Sequence, residues 1–344
     1  MNRCVQAARD KSDRPARFCE IGFSSASMNT SRRQAIRSAL LTSASLTLPS
    51  SLSAAIKALP RSLKFGIITD LHLGFIPDAP KRFAAFKKAM KELRPDSVIQ
   101  MGDFAYPQER HQKYVDAFNA LSKHPVHAIG NHELDHRLTR EDARKSWGIP
   151  SFYYCKEVEG VRVLVLDGND RGSPTYKSHG GYHSYIGKEQ QEWLAKELKE
   201  ADQPALIVSH QPLAGSGAVD NAKEMQALLA PHKNKILLCI NGHSHIDLHL
   251  EIDGVNYLHL NSASYFWLGG KVRTAFYRDP LFTTMTLDHT EGRITFSACK
   301  SAWSNGSPED VGYFEKNEKR KGLKEHIVPR ISAREFRPGV LRIE

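Results

Sequence analysis

From Leu63 onward the chain is punctuated by short apolar runs: Leu63 to Thr69, Ser97 to Met101, Val126 to Ile129, Val161 to Leu166, Ala205 to Ser209, Ile236 to Ile240 and Val255 to Leu260. They are continuous rather than alternating and rich in Val, Ile and Leu, which predicts strands buried on both faces. Between them apolar residues return at helical spacing. Pro80 to Leu93 brings Phe83, Phe86, Ala89, Met90 and Leu93 to one face. Lys188 to Glu200 does the same with Trp193, Leu194 and Leu198, and Gln203-Pro204 stops it before the next run. Two β-like runs between Leu281 and Ala298 flank His289-Thr290-Glu291-Gly292, the pattern of an antiparallel hairpin. Runs and helices in alternation predict an α/β domain over residues 63–300. Residues 301–344 read as a C-terminal extension, and the charge-mixed stretch Lys316 to Arg342, with its several breakers, is expected at the periphery.

Composition narrows the class. With 344 residues, 40% of them hydrophobic and 25% charged, the chain is neither disordered nor collagenous nor membrane-embedded. A net charge of +10 raises the question of nucleic acid or an anionic surface as partner. Its distribution answers differently. Residues 1–55 hold eight basic and three acidic residues, half of the excess in one sixth of the chain, and the body is nearly balanced. No stable nucleic-acid partner is expected, since neither a long basic track nor an added DNA-binding domain is present.

The same 1–55 stretch contains Ser31-Arg32-Arg33-Gln34-Ala35-Ile36, a weakly apolar run from Ala39 to Leu48, and the small residues Ser51-Leu52-Ser53-Ala54-Ala55 as possible cleavage positions. Charged, apolar and small regions in that order read as a leader resembling a twin-arginine signal, its start at Met1 or at Met28. The expected destination is periplasmic or extracellular, or cytoplasmic if the stretch is only a basic tail. The run is too short to span a bilayer, and no other approaches 18 residues. Cys155, Cys239 and Cys299, the three cysteines beyond the leader, show neither a disulfide framework nor a zinc ribbon.

Chemistry collects where the strands end. The first run leads into Asp70-Leu71-His72, the second into Gly102-Asp103, the third into Gly130-Asn131-His132. Later, Ser209 precedes His210, and Asn241-Gly242 precedes His243-Ser244-His245. In open α/β sheets the loops after strands share one rim, so these side chains meet there. Imidazoles, carboxylates and one amide, without thiolates, suit a pair of borderline divalent metals. One bridging carboxylate would hold two ions roughly 3.5–4 Å apart, the spacing of two-metal hydrolytic sites. Gly102, Gly130 and Gly242 each precede such a residue, where the chain turns off a strand and comes close to the site.

This ordered series, DxH (Asp70, His72), GD (Asp103), GNH (Asn131, His132), a lone His (His210) and GHxH (His243, His245), resembles the calcineurin-like metallophosphoesterases over roughly residues 63–262. The resemblance implies a four-layer α/β/β/α sandwich. It implies that Asp70, His72 and His245 bind one metal, that Asn131, His210 and His243 bind the other, and that Asp103 bridges them. The metals would be two divalent or mixed-valence ions, Mn, Fe or Zn. His132 would face the scissile phosphate as the catalytic group, opposite a metal-bridging hydroxide. The activity implied is hydrolysis of small phosphate monoesters or diesters, nucleotide-type esters among them. Two alternatives stand beside it: a scaffold that keeps the fold without the chemistry, and a nuclease of the same superfamily.

Tyr106 completes a GDxxY pattern found in purple acid phosphatases, but with His72 present it reads as a wall residue rather than a ligand. Glu133 stands where many relatives have Asp, outside the metal ligands. Specificity is expected in the loops 75–79, 133–139, 169–183 and 264–270. There Arg137 and Arg171 could hold a second anionic group, and Tyr265, Phe266 and Trp267 could stack or pack, packing being favoured. His111, His124, His127, His232, His249, His259, His289 and His326 lack motif context and read as structural.

Overall fold

In a computed structural model, residues 46–176, 181–271 and 273–338 are described. The stretch 1–45, which carries the twin-arginine-like pattern, lies outside them. Strand β1 (Leu46–Leu48) and helix α1 (Ser50–Lys57) come first. A βαβαβ unit follows: β2 (Leu63–Ile68), α2 (Ala79–Leu93), β3 (Ser97–Gln100), α3 (Glu109–Asn119) and β4 (His124–His127). Next are α4 (Arg140–Trp147), β5 (Tyr154–Val158), β6 (Val161–Val165), α5 (Lys188–Glu200), β7 (Ala205–Ser209), α6 (Ala222–Leu229), β8 (Ile236–Asn241), β9 (Leu248–Ile252) and β10 (Val255–His259). The chain ends through β11 (Tyr265–Trp267), β12 (Thr274–Phe276), β13 (Thr283–Asp288), β14 (Arg293–Phe296), β15 (Cys299–Lys300), α7 (Tyr313–Lys316), α8 (Glu318–Lys321), β16 (Arg330–Ile331) and β17 (Arg334–Pro338).

Two sheets carry the fold. One runs β1-β17-β14-β13-β2-β3-β4, the other β5-β6-β7-β8-β10-β9. The period of two along β6, β7 and β8 decides what each face meets. Val163, Val165, Leu206, Val208, Leu238 and Ile240 enter the core between the sheets. Their neighbours Leu164, Ile207 and Cys239 pack outward with Leu194 and Leu198 of α5 and Met225 and Leu229 of α6. Both faces are therefore covered, as the continuous apolar runs require. On the other sheet α2 does the covering: a Cβ on Gly66 would lie 2.0 Å from Met90 Sδ. This is the expected α/β/β/α sandwich. Among the described residues, no helix is long and apolar enough to cross a membrane.

Both ends of the described chain differ from expectation. Residues 46–55, counted with the leader, form β1 and most of α1, and Leu48, Leu52, Ser53 and Ile56 are buried. The small residues read as cleavage positions thus lie inside a packed helix. The 301–344 segment is not merely peripheral: β17 pairs antiparallel with β14 and parallel with β1, Leu46 opposite Phe336. Among its described side chains, Arg334 to Arg337, only Phe336 is fully buried, so its signal is drowned by Arg334, Glu335 and Arg337. Asp247, just past the GHxH turn, secures the segment by accepting hydrogen bonds from Ser332 and Arg334.

His127, at the end of edge strand β4, shows what a structural histidine does here. Its ring stacks on Trp147 at 5.6 Å and 17°, Nε2 donates to Asn119 Oδ1 (2.7 Å), and Nδ1 accepts from Gln100 Nε2 (3.2 Å). Burial holds the ring neutral, pushing its pKa down to about 3. Because the folded value lies below the unfolded one, about 6.5, its stabilisation is complete above pH 6.5 and is lost as pH falls toward 3. His127→Gln is expected to cost about 1–3 kcal/mol at pH 7 and to lessen the further loss between pH 7 and pH 5. Urea midpoints at the two pH values test this; an acid dependence as steep as that of the parent protein contradicts it.

Candidate metal centre

Five strands end on one rim. Asp70 and His72 follow β2, Asp103 follows β3, Asn131 and His132 follow β4, His210 follows β7, and His243 and His245 follow β8. The chain turns sharply to present them. Asp70, His72, Asp103, His243 and His245 all have φ between 50° and 62°, and they make up half of the ten non-glycine residues in the left-handed region among the described residues. Such backbone costs about 1–3 kcal/mol per residue and persists only where its surroundings enforce it. The glycines explain the close approach. A Cβ on Gly102 would lie 2.4 Å from His210 Nδ1, one on Gly130 2.2 Å from Asp103 Oδ1, and one on Gly242 2.4 Å from Asp70 Oδ2.

All seven expected ligands come together. Asp70, His72 and His245 offer donor atoms within 4.8 Å of one another, and so do Asp103, His210 and His243. Asn131 joins the second set, its Oδ1 3.1 Å from His210 Nε2. Asp103 Oδ2 lies between the sets, 3.8 Å from His72 Nε2 and 3.2 Å from His210 Nε2. His245 Nε2 is 3.0 Å from Asp70 Oδ1, and His243 Nδ1 is 3.3 Å from His210 Nε2. Asp70, His72, Asp103, Asn131, His210 and His245 are buried, and His243 is partly exposed.

The donor set fits cations. His210 Nδ1–H donates to the Met101 carbonyl at 2.8 Å, so Nε2 presents a lone pair. That lone pair faces Asp103 Oδ2 and Asn131 Oδ1, both acceptors, an arrangement that only a cation or an added proton relieves. Without a metal the proton serves: burial pushes the His210 ring down, but Asp103 and Asp70 outweigh it and lift the pKa to about 10. Burial holds His72 and His243 neutral, near 3, the form that binds metals. Burial also works against the two carboxylates, yet neighbouring histidines, His245 at Asp70 and His210 at both, keep them well below the usual range.

A second layer of contacts aims the expected ligands. Thr69 Oγ1–H (2.6 Å) and the His243 N–H (3.1 Å) donate to Asp70 Oδ2. Ser262 and Ser264 hydroxyls donate to the carbonyls of Asp70 and Leu71, fixing the left-handed turn. Ser244, between the two histidines of the last motif, bonds His259 Nδ1 at 2.8 Å. Glu133 does most: Oε1 accepts from Phe104 and Ala105 N–H, and Oε2 accepts from Asp103 and Gly130 N–H. Burial and the Asp103 charge push its carboxyl up to about 8. Four N–H donors on its two oxygens oppose that shift and leave a carboxylic proton no acceptor, so the group acts as the anion.

His132 stands at the mouth, its backbone N–H bound to Asp103 Oδ1 at 2.8 Å. Its Nδ1 is 2.7 Å from Asp135 Oδ2, which leaves Nε2 for the site. Burial opposes its charge, but Asp103 and Asp135 prevail and raise the ring to about 9, so it is protonated at neutral pH. His132 also meets His72 and Asp103 within 4.8 Å. Tyr182 caps the pair, its OH donating to Asp135 Oδ1 at 2.7 Å. Asp135 and Tyr182 were placed by the sequence only in loops. A carboxylate three residues past a GNH turn was the available signal for Asp135, and none marked Tyr182.

Other expected site residues sort by contact. The Tyr106 ring is buried against His136 at 5.0 Å, and burial first, then Asp135 and Asp103, push its phenol up to about 12, so it keeps its proton. Tyr265 and Phe266 are buried, with Tyr265 OH 3.3 Å from His72 Nε2, whereas Trp267 is exposed. Arg137 and Arg171 are exposed in their loops.

Residues 63–247 match the calcineurin-like phosphoesterase family. No curated protein sequence matches the chain significantly. Among solved structures, a dimetal phosphatase from Danio rerio is similar with a TM-score of 0.52 and 16% identity, over 68% of this chain and 95% of that one. GAP50, the anchor in the inner membrane complex of Plasmodium, is similar with a TM-score of 0.48 and 16% identity, over 71% of this chain and 85% of that one. At such identities the first shows a shared fold.

Because Glu133 gathers the backbone of two ligand-bearing turns, Glu133→Gln is expected to lower metal affinity about 10–100-fold although no ligand is removed. Calorimetric titration of the metal-free protein with Mn²⁺ or Zn²⁺ measures this; unchanged affinity contradicts the role.

Proposed function

Since the chain belongs to the calcineurin-like phosphoesterase family, we propose that it hydrolyses small phosphate monoesters or diesters with the help of two metal ions. One observation carries the proposal: Asp103 lies between two sets of carboxylate and imidazole donors, and His132, bonded to Asp135, stands beside them. In this reading Asp70, His72 and His245 hold one ion, Asn131, His210 and His243 the other, and Asp103 contacts both. Bound Mn, Fe or Zn supplies an activated water and neutralises charge developing on the phosphoryl oxygens.

The chain's own residues do the rest. Asp103 spans both sets by Oδ2 and orients the catalytic turn by Oδ1. His132 directs Nε2–H at the leaving oxygen and gives up its proton as the P–O bond breaks. Asp135 fixes the tautomer through Nδ1 and stabilises the imidazolium until transfer. The buried walls, Tyr106 and Tyr265 among them, keep bulk water from the donor cluster. Export belongs to the proposal as well, supported by Ser31-Arg32-Arg33 and the apolar run behind it; N-terminal sequencing of secreted protein tests it, and a mature chain that retains Arg32-Arg33 contradicts it.

Metal analysis, followed by assays on an aryl phosphate and its bis-aryl diester, tests the activity; no turnover of either with any divalent metal sinks it. His132→Ala should keep its metal and lose about 10²–10⁴ in kcat, whereas Asp103→Asn should lose metal and activity together. Equal metal loss in both variants contradicts the assignment. Asp135→Asn should retain metal and lower kcat more than it raises KM.

A further inference from the structure

Four large hydrophobic side chains stand exposed among the described residues, Phe75, Tyr176, Tyr182 and Trp267, and all four are aromatic. Two of them share one neighbour. The Phe75 ring, 43% exposed, lies nearly parallel to His132 at 6.4 Å and 18°. The Tyr182 ring, 44% exposed, lies 5.1 Å from His132, with its OH tied to Asp135. Phe75 also reaches His72 at 6.0 Å and Tyr265 at 6.1 Å, so it borders the donor cluster directly. On the loop that carries it, Phe75 forms one wall of a groove of about 380 Å³ with Ile76, Pro77, Arg110 and Tyr114.

Rings left in water beside a reacting centre have surface to bury when a ligand arrives. Resting on the phosphoesterase reading above, His132 faces the oxygen that departs, so whatever that oxygen carries must pass these two rings. Their chemistry selects it: aromatic faces favour another planar π-system over an alkyl chain, in offset or edge contact. We propose that Phe75 and Tyr182 form a clamp for the leaving group, and that the preferred substrates are phosphate esters of a planar aromatic or nucleoside group. Tyr182 has two separable roles in this site. Its ring binds the leaving group, and its hydroxyl holds Asp135, and through it His132, in position.

The test uses metal-loaded full-length protein with phenyl and methyl phosphates, each as monoester and diester, and a nucleoside 5′-monophosphate. In Phe75→Ala and Tyr182→Ala, the ratio of kcat/KM for phenyl over methyl ester is expected to fall about tenfold or more relative to the parent, chiefly through KM. Phe75→Tyr restores the ratio. Tyr182→Phe keeps it while lowering kcat for both esters. Calorimetry with phenylphosphonate and methylphosphonate gives a readout independent of turnover, with the phenyl preference expected to vanish in Phe75→Ala. Tighter use of the nucleotide assigns the ring to a nucleobase, and tighter use of the phenyl ester assigns it to an aryl alcohol. An unchanged ratio in both alanine variants of an active enzyme overturns the clamp and leaves the phosphoesterase reading standing. Absence of turnover for every ester, with the phenylphosphonate preference intact and sensitive to Phe75, overturns that reading and retains the clamp.

Discussion

Electron-pair donors face one another in a nearly dry pocket, and much of the surrounding structure serves to hold them there. Asp103 Oδ2, Asn131 Oδ1 and the His210 Nε2 lone pair meet within hydrogen-bonding distance, with no donor among them unless a proton or a metal is added. Without that proton or cation, lone pairs so arranged repel, and burial strengthens the repulsion because little water screens it. Five of the expected ligands also sit in left-handed backbone. At about 1–3 kcal/mol each, that strain alone rivals the net stability of about 5–15 kcal/mol of an ordinary domain. The turns therefore cannot hold themselves. The core between the two sheets, the Glu133 carboxylate across two turns, and the Ser262 and Ser264 hydroxyls on a third supply the restraint.

The division of labour within the rim follows from which atoms are already engaged. Asp70 spends Oδ2 on Thr69 and His243 and keeps Oδ1 for the pocket. Asp103 spends Oδ1 on the His132 backbone and keeps Oδ2. His210 spends Nδ1 on Met101 and keeps Nε2. In each case the outer bond fixes rotamer or tautomer, so the inner atom arrives oriented and little rearrangement remains when a cation enters. His132 has a carboxylate rather than a carbonyl on its outer nitrogen, Asp135 Oδ2 at 2.7 Å, which fixes its tautomer in the same way.

Much of this was legible in the sequence because buried parallel strands have a plain signature and each ligand follows one. Lys188 to Glu200 is the helix its periodicity predicts, and the 281–298 hairpin pairs as drawn. What escaped has a physical cause. Asp135 and Tyr182 act on His132 from loops, where no period constrains side-chain direction. Ser262 and Ser264 bind through hydroxyls to carbonyls nearly two hundred positions away. Glu133 looked like a neutral replacement because its work is with backbone rather than with ligands. At the ends, β1 and β17 are three and five residues long, and β17 carries one fully buried residue amid charges, too little for a pattern to register.

The pairing of β1 with β17 joins Leu46 to Phe336, nearly opposite ends of the described chain, in a parallel ladder at the sheet's edge. Parallel contacts between segments so distant in sequence form late and slowly, since a large loop must close before the ladder returns any energy. On the ribosome, β1 and α1 emerge before the other described elements and wait for most of the polypeptide before β17 exists. During that interval Leu48, Leu52 and Ile56 are uncovered, an apolar stretch directly behind the basic N-terminus. Completion of this one edge therefore waits for β17: the N-terminal described segment has its full set of partners only once that strand has been made.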